Sequence, residues 1–180
     1  MKNSMKEERL KREKSKVISK HLRTHDSLVT GIDNPITLDA TFYVLESGET
    51  ACRFIPKVYH TGHDKMMHGG LISSVLDETM GRACLEPTIR TRNSSVVTGE
   101  FRVRFVNPIF MDEEITCYAK RIKKIDRQNF CEGWLVDKDN IVRAKATGIF
   151  VDVNLRDDIS RLLDIDGNTI LLDANDPKEL

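Results

Sequence analysis

The residues with the clearest chemical potential lie in one short segment, residues 68–77, with the sequence HGGLISSVLD. His68, Gly69 and Gly70 open an apolar segment, and the carboxylate of Asp77 follows nine residues after the histidine. A carboxylate can activate water or attack a carbonyl carbon, and a free backbone N–H can stabilise the negative charge that develops on oxygen. The segment therefore indicates a site where an oxyanion forms.

The element that must carry these residues is predicted to be a helix over residues 69–85, with Glu86–Pro87 as its stop. Its N–H groups in the first turn have no partners inside the helix, and the two glycines leave room for a close approach. Asp77 and Glu78 point about 100° apart, so at most one of them shares the site. Apolar residues recur at three- and four-residue spacings and occupy more than one stripe, which predicts a largely buried helix: Leu71, Val75, Leu76, Met80, Ala83 and Cys84.

The rest of the chain between residues 31 and 154 predicts an antiparallel sheet around this helix. Strand-like runs cover 36–46 and 50–58, and four more runs follow. In 95–107 a period of two places apolar residues on the face toward the helix, and Thr98 with the arginines on the opposite face. The predicted fold class is α+β, with about six antiparallel strands wrapped around one central helix.

The two ends of the chain differ in charge. Residues 1–25 hold nine Lys or Arg against three Glu, whereas residues 151–180 hold three against eight acidic residues. Residues 4 to about 24 predict a basic, weakly amphipathic helix. A solvent-exposed helix that docks on the rest of the protein is favoured over one that contacts a membrane or nucleic acid. We predict a basic helical extension at 1–30, one domain at 31–154 and an acidic extension at 155–180, in which 164–168 forms a turn.

Four cysteines, at positions 52, 84, 117 and 131, form no C-x-x-C pair, and each lies in an apolar segment. Buried free thiols are favoured over disulfides or zinc, which indicates a reducing compartment. The N-terminus lacks the apolar core of a signal peptide, and no stretch approaches ~20 apolar residues. We expect a cytoplasmic protein without integral membrane association.

Histidines crowd the loop before the helix, where His60, His63, Asp64 and His68 fall within nine residues. Their spacing matches neither the H-E-x-x-H motif nor a zinc finger, so substrate positioning or a structural role is favoured over metal binding. We expect no metal and no cofactor.

The motif His68-Gly69-Gly70 with Asp77, followed by VTGEFRVRFVNPI at 97–109, resembles the hotdog-fold acyl-CoA thioesterases, in particular their PaaI-like and THEM-like branch. The resemblance covers roughly residues 36–154. It implies a hotdog fold and hydrolysis of a fatty or aryl acyl-CoA to free acid and CoA.

The resemblance also implies roles for single residues. Asp77 would be the general base or the nucleophile, Gly69 the oxyanion donor and Thr98 the hydroxyl that positions water, with His68 beside them as a fourth catalytic candidate. Relatives often carry an Asn about six residues before the motif histidine, where it helps to hold the thioester carbonyl. Here that position is Gly62, which has no side chain for this contact, so the chain departs from those relatives.

Four further residues are candidates for substrate binding. Gly70 and His63 lie beside the motif, and Arg102 and Arg104 either meet the phosphates of CoA or form a solvated strand face. The alternative function is a catalytically silent hotdog that binds acyl-CoA as a sensor or scaffold. The presence of Asp77 favours the enzyme.

Helix geometry predicts an oligomer. Gly69 and Asp77 are eight residues apart, which is about 12 Å along a helix, so one carbonyl cannot have both within ~3 Å. If both serve one reaction, they come from different chains, as in hotdog relatives. We therefore expect at least a homodimer with two equivalent sites, possibly a dimer of dimers, with acyl-CoA as its ligand.

Overall fold

A computed structural model describes residues 7–21, 23–85, 94–154, 169–170 and 172–180. Within them, one long helix, α1 (Gly69–Cys84), packs against a sheet of eight antiparallel strands. The strands are β1 (Val17–His21), β2 (Thr41–Leu45), β3 (Thr50–Phe54), β6 (Ser94–Phe105), β7 (Ile115–Ile125), β8 (Gln128–Asp137), β9 (Val142–Asn154) and β10 (Thr169–Ile170). A separate pair, β4 (Thr61–His63) and β5 (Met66–Met67), leads into the helix.

The strand order across the sheet is β10-β1-β2-β3-β7-β8-β9-β6. Six of these strands correspond to the strand-like runs predicted from the sequence: β2, β3, β7, β8, β9 and β6. The predicted α+β architecture, an antiparallel sheet around one helix, is confirmed. A turn after Asp137 joins β8 to β9, with Asn140 in the left-handed region at φ 60°. The predicted stop at Glu86–Pro87 and the turn at 164–168 lie outside the described residues.

The predicted N-terminal helix is wrong for residues 7–21. This segment is extended, and β1 pairs with the edge of β2 through Val17 opposite Leu45 and Lys20 opposite Tyr43. Its basic side chains contact the sheet: the Arg12 guanidinium lies 3.9 Å from the Tyr118 ring centroid and pairs with Glu49 at 2.6 Å. Hydrogen bonds to the open edge of β2 stabilise the extended form more than a helix would be stabilised, because a short isolated helix is only marginally stable in water.

The sheet has an apolar layer on each face. The inner layer packs α1 against the strands, with Val75, Leu76 and Met80 fully buried, and the predicted burial of the helix is confirmed. The outer layer, which includes Tyr43 and Tyr118, is covered by residues from the two ends of the chain: Leu10, Leu172 and Leu180. Among the residues described, no helix is long and apolar enough to cross a bilayer.

The four cysteines are buried free thiols, as predicted. Burial raises the pKa of Cys117 to about 12. The Sγ atoms of Cys84, at the end of α1, and Cys131, on β8, lie 3.0 Å apart. The thiols therefore belong to the packing between helix and sheet.

Candidate active site

The first turn of α1 leaves one backbone donor free. The Nδ1 atom of His68 accepts a hydrogen bond from the N–H of Gly70 at 2.9 Å and so caps the helix. The His68 carbonyl oxygen accepts from the N–H groups of Leu71 and Ile72 at 3.0 and 3.2 Å. Among the described residues, no acceptor contacts the N–H of Gly69. This N–H, at the positive end of the helix dipole, is the donor that can stabilise an oxyanion.

The carboxylate of Asp77 lies two turns further along the helix and is half-buried. The Thr98 hydroxyl donates a hydrogen bond of 2.6 Å to its Oδ1 atom. A hydroxyl bonded to one carboxylate oxygen fixes the rotamer of the side chain and leaves the second oxygen, Oδ2, free to act on water or on a carbonyl carbon. Asp77 and Thr98 were both predicted site residues, and the structure brings them together.

The contact exists because β6 carries a bulge. Its register against β9 shifts between Thr98 and Glu100, so Gly99 is an extra residue and the alternation of faces changes there. Val96, Phe101 and Val103 pack on the inner layer, whereas Val97 is 49% exposed. The bulge places Thr98 on the helix side, together with Phe101, and the predicted assignment of Thr98 to the opposite face is wrong.

The neighbouring carboxylate, Glu78, is committed to another contact. It forms an ion pair with Arg82 at 2.6 Å, one turn later on the helix, and the Arg82 guanidinium lies 4.3 Å from the ring centroid of Phe42. Asp77 and Glu78 therefore point to different partners, Thr98 and Arg82. That Asp77 is the carboxylate of the site stays a prediction.

A pocket of about 520 Å³ opens beside the first turn of the helix, and both His63 and His68 line it. Phe105, at the end of β6, reaches this pocket, and a Cβ added to Gly69 would lie 3.4 Å from its ring. The role of Phe105 was not predicted, because an aromatic residue in an alternating strand gives no sign that it ends beside a helix N-terminus. The other walls are mostly apolar: Met66, Met67, Ile72, Val106 and Ile109.

Within the part of the chain that the structure describes, Thr98 is the only predicted site residue that contacts the Asp77 carboxylate. Arg102 and Arg104 are exposed and lie on the outer face of β6, opposite Thr98 and Phe101. Their contact with CoA phosphates stays a prediction. Gly70 lies at the helix start, but its N–H is occupied by His68, so it offers close approach rather than a donor.

Gly62 occupies the place where the resemblance leads one to look for Asn. A Cβ at this position would lie 2.8 Å from the Cα of His68, closer than real Cβ contacts. A larger residue would therefore displace the motif histidine, and the backbone approach explains why glycine stands here.

Comparisons with known proteins bear on the family and the fold of the chain. Residues 64–131 match the thioesterase superfamily. No curated protein sequence matches the chain.

Three solved structures illustrate the likeness. A thioesterase superfamily protein, RHA08564, is 23% identical over 71% of this chain, with a TM-score of 0.64, and this chain covers 60% of its length. The E. coli PaaI protein from the phenylacetic acid degradation operon is 15% identical, with a TM-score of 0.58 over 66% of this chain and 84% of its own. BH2602 from Bacillus halodurans, solved with CoA, is 23% identical, with a TM-score of 0.54 over 62% of this chain and 72% of its own. These structures confirm the predicted hotdog fold, which the chain shares with the PaaI protein and, at 19% identity and a TM-score of 0.56 over 69% of this chain and 87% of its own, with zebra fish thioesterase superfamily member 2.

Proposed function

We propose that this hotdog-fold chain, whose residues 64–131 match the thioesterase superfamily, hydrolyses the thioester of a fatty or aryl acyl-CoA to the free acid and CoA. The observation that carries the proposal is the Asp77 carboxylate on a largely buried helix, with one oxygen bonded to Thr98 and the other available. The nearest cation on the helix, Arg82, is paired with Glu78, so the Asp77 carboxylate keeps an oxygen that is open to a ligand.

The chemistry needs two more groups. When Asp77 acts as general base, its Oδ2 atom takes a proton from water while the water oxygen attacks the thioester carbon; when it acts as nucleophile, Oδ2 attacks directly and water hydrolyses the resulting anhydride. In both routes the carbonyl oxygen becomes negative and is stabilised by the N–H of Gly69. The carbon–sulfur bond then breaks, and CoA leaves as a thiolate that takes up a proton.

Donor and carboxylate lie too far apart to act within one chain. Asp77 meets Thr98 near one end of β6, and Gly69 meets Phe105 at the other end. The seven residues of strand from Thr98 to Phe105 span about 23 Å. The eight residues of helix from Gly69 to Asp77 span about 12 Å. One chain therefore holds two half-sites rather than one complete site.

A two-fold dimer through β6 would complete both sites. β6 is the last strand of the sheet, and its outer edge pairs with no strand among the described residues, so it offers unpaired N–H and C=O groups to a second copy. A two-fold axis perpendicular to the sheet, near the middle of β6, would bring the Thr98 end of this strand in one protomer beside the Phe105 end in the other, in an antiparallel pair. The Asp77 half-site would then meet the Gly69 half-site of the partner subunit, and a homodimer is part of the proposal.

The pocket beside Gly69 is suited to an apolar group attached to a thioester. Its volume lies within the range of small-molecule sites, and its walls are mostly apolar with two histidines at the rim. Binding of the CoA moiety is supported by the likeness to a protein solved with CoA. The buried free thiols are consistent with the cytoplasm as its location.

The experiment that tests the proposal is a screen for CoA release across short-chain, long-chain and aromatic acyl-CoAs. We expect turnover of at least one class, measured by a thiol reagent that detects free CoA. Binding of acyl-CoA by calorimetry without release of CoA from any of them would support a silent binding protein and contradict the proposal.

A further inference from the structure

His60 is a buried histidine that the proposed mechanism does not use. Its Nδ1 atom accepts a hydrogen bond of 2.8 Å from the backbone N–H of Lys57, and its Nε2 atom lies 3.2 Å from the carbonyl oxygens of Ile36 and Thr37. A backbone N–H only donates and a carbonyl oxygen only accepts, so the ring carries its proton on Nε2. With 2% of the residue exposed, both ring nitrogens are committed to the backbone.

The backbone of His60 is joined to the segment that carries the oxyanion donor. Its carbonyl oxygen accepts a hydrogen bond of 2.9 Å from the N–H of His68, the residue immediately before Gly69. On the same side, Gly62 approaches His68 so closely that no Cβ fits between them. Because the peptide group that joins His68 to Gly69 is planar, the orientation of His68 sets the direction of the Gly69 N–H.

We propose that His60 is a positioning residue for the Gly69 N–H. Its ring joins the loop before α1 to residues 36–37 by hydrogen bonds. Its carbonyl oxygen accepts the hydrogen bond from the His68 N–H and so fixes the position of His68. This inference rests on the proposed function, in which the N–H must point at the oxyanion. Loss of an oxyanion donor lowers kcat by about 10² to 10³, and a misplacement of about 1 Å by about 10².

Kinetics of His60→Ala and His60→Gln test the proposal. We expect kcat to fall by at least about tenfold in His60→Ala, with KM within about twofold of wild type, because His60 does not line the pocket beside Gly69. His60→Gln should recover part of kcat, since its amide N–H can reach the carbonyls of residues 36–37. The matched control is His25→Gln, which replaces an exposed histidine that pairs with Asp33 and should leave kcat unchanged.

Amide hydrogen exchange, measured by NMR, supplies a readout that does not depend on activity. In the wild type, the His68 amide should exchange more slowly than exposed loop amides; in His60→Gln it should exchange faster, while amides of β7 and β8 keep their wild-type rates. If neither variant folds, the exchange rate of the His68 amide in the wild type decides whether His60 holds His68 in place.

Three results would overturn the proposal: a folded His60→Ala with unchanged kcat, acceleration of exchange in β7 and β8 to the same degree as at His68, or a wild-type His68 amide as labile as exposed loops. If the wild type hydrolyses no acyl-CoA, the proposed function fails, and the exchange rates alone decide the role of His60.

Discussion

The hydroxyl of Thr98 lies 2.6 Å from the Oδ1 atom of Asp77 and joins the edge strand β6 to the middle of α1. Twenty-one residues separate the two in sequence, and the bulge at Gly99 turns the hydroxyl toward the helix. This hydrogen bond orients Asp77, the helix carboxylate that forms no ion pair with any residue the structure describes. The chemistry of the site therefore depends on a strand irregularity as much as on the motif that carries Asp77.

Removal of this hydroxyl should lower turnover without unfolding the protein. In Thr98→Val the shape is kept but the hydrogen bond to the carboxylate is lost, and such bonds contribute about 1.5–3 kcal/mol. We expect kcat for acyl-CoA hydrolysis to fall about 10- to 100-fold. Thr98→Ser keeps the hydroxyl and serves as the control, with activity within a few fold of wild type. Equal activity of Thr98→Val and Thr98→Ser would show that the hydroxyl has no part in catalysis.

Periodicity predicted most of the fold, because burial on one side forces a pattern of two in strands and of three and four in helices. The strands β2, β3 and β6 to β9 and the helix that begins at Gly69 agree with the sequence pattern, whereas β4 and β5 lie in a segment that was predicted to be a loop. The face on which Thr98 lies did not, since a bulge adds one residue without a clear signal, and Gly99 is a weak one. The resemblance supplied Thr98 as a candidate where alternation placed it on the wrong face.

The N-terminal strand shows a different limit. Residues 7–21 have the charge pattern of a solvated helix, and their extended form depends on contacts distant in sequence: the edge of β2, the ring of Tyr118 and the chain end at Leu180. Local propensity cannot report such partners, and tertiary pairing decides the conformation. The pairing of Thr98 with Asp77 and the anchoring of His60 are beyond local pattern for the same reason.

Asp137 gives the wall of the pocket a pH-dependent contribution to stability. Burial alone would raise its pKa, but hydrogen bonds from the N–H groups of Ile141 and Asp139 and from Arg143 outweigh burial and lower it. Arg143 in turn donates to the carbonyl of Pro108 beside the pocket at 2.7 Å. Because the folded-state pKa lies below the unfolded value, this stabilisation is present in full above the unfolded pKa and is lost as the pH falls through the folded pKa.

Urea unfolding of Asp137→Asn at several pH values measures this effect. At pH 7 we expect the variant to be less stable than wild type by about 1–3 kcal/mol. The difference should shrink as the pH falls below about 4, where the Asp137 carboxylate of the unfolded wild-type chain begins to gain its proton while that of the folded chain is still ionised. A difference that stays constant between pH 7 and pH 3 would show that packing, not charge, is responsible.

The shared site can be tested with two inactive variants. Gly69→Pro removes the oxyanion N–H at the first helical position, where proline is tolerated, and His68 already has the extended backbone that a following proline requires, at φ −63° and ψ 131°. Asp77→Asn removes the carboxylate. After the two are mixed and refolded together, random pairing makes about half of the dimers hybrid, each with one intact site, so roughly a quarter of wild-type activity should return.

Hybrid dimers must be demonstrated by a tag on one variant. No recovery of activity in purified hybrids would contradict the shared site, as would a wild-type monomer that is fully active.

The most direct measurement compares the turnover of Asp77→Asn with that of Glu78→Gln on an acyl-CoA that the wild type hydrolyses, with binding of the same compound measured by calorimetry. We expect Asp77→Asn to bind the acyl-CoA and release no CoA, because the variant loses a group used only in the transition state. Glu78→Gln, which disturbs only the pair with Arg82, should keep most of the activity. An Asp77→Asn protein that turns over at the wild-type rate, or a Glu78→Gln protein that is the inactive one, would contradict Asp77 as the catalytic carboxylate.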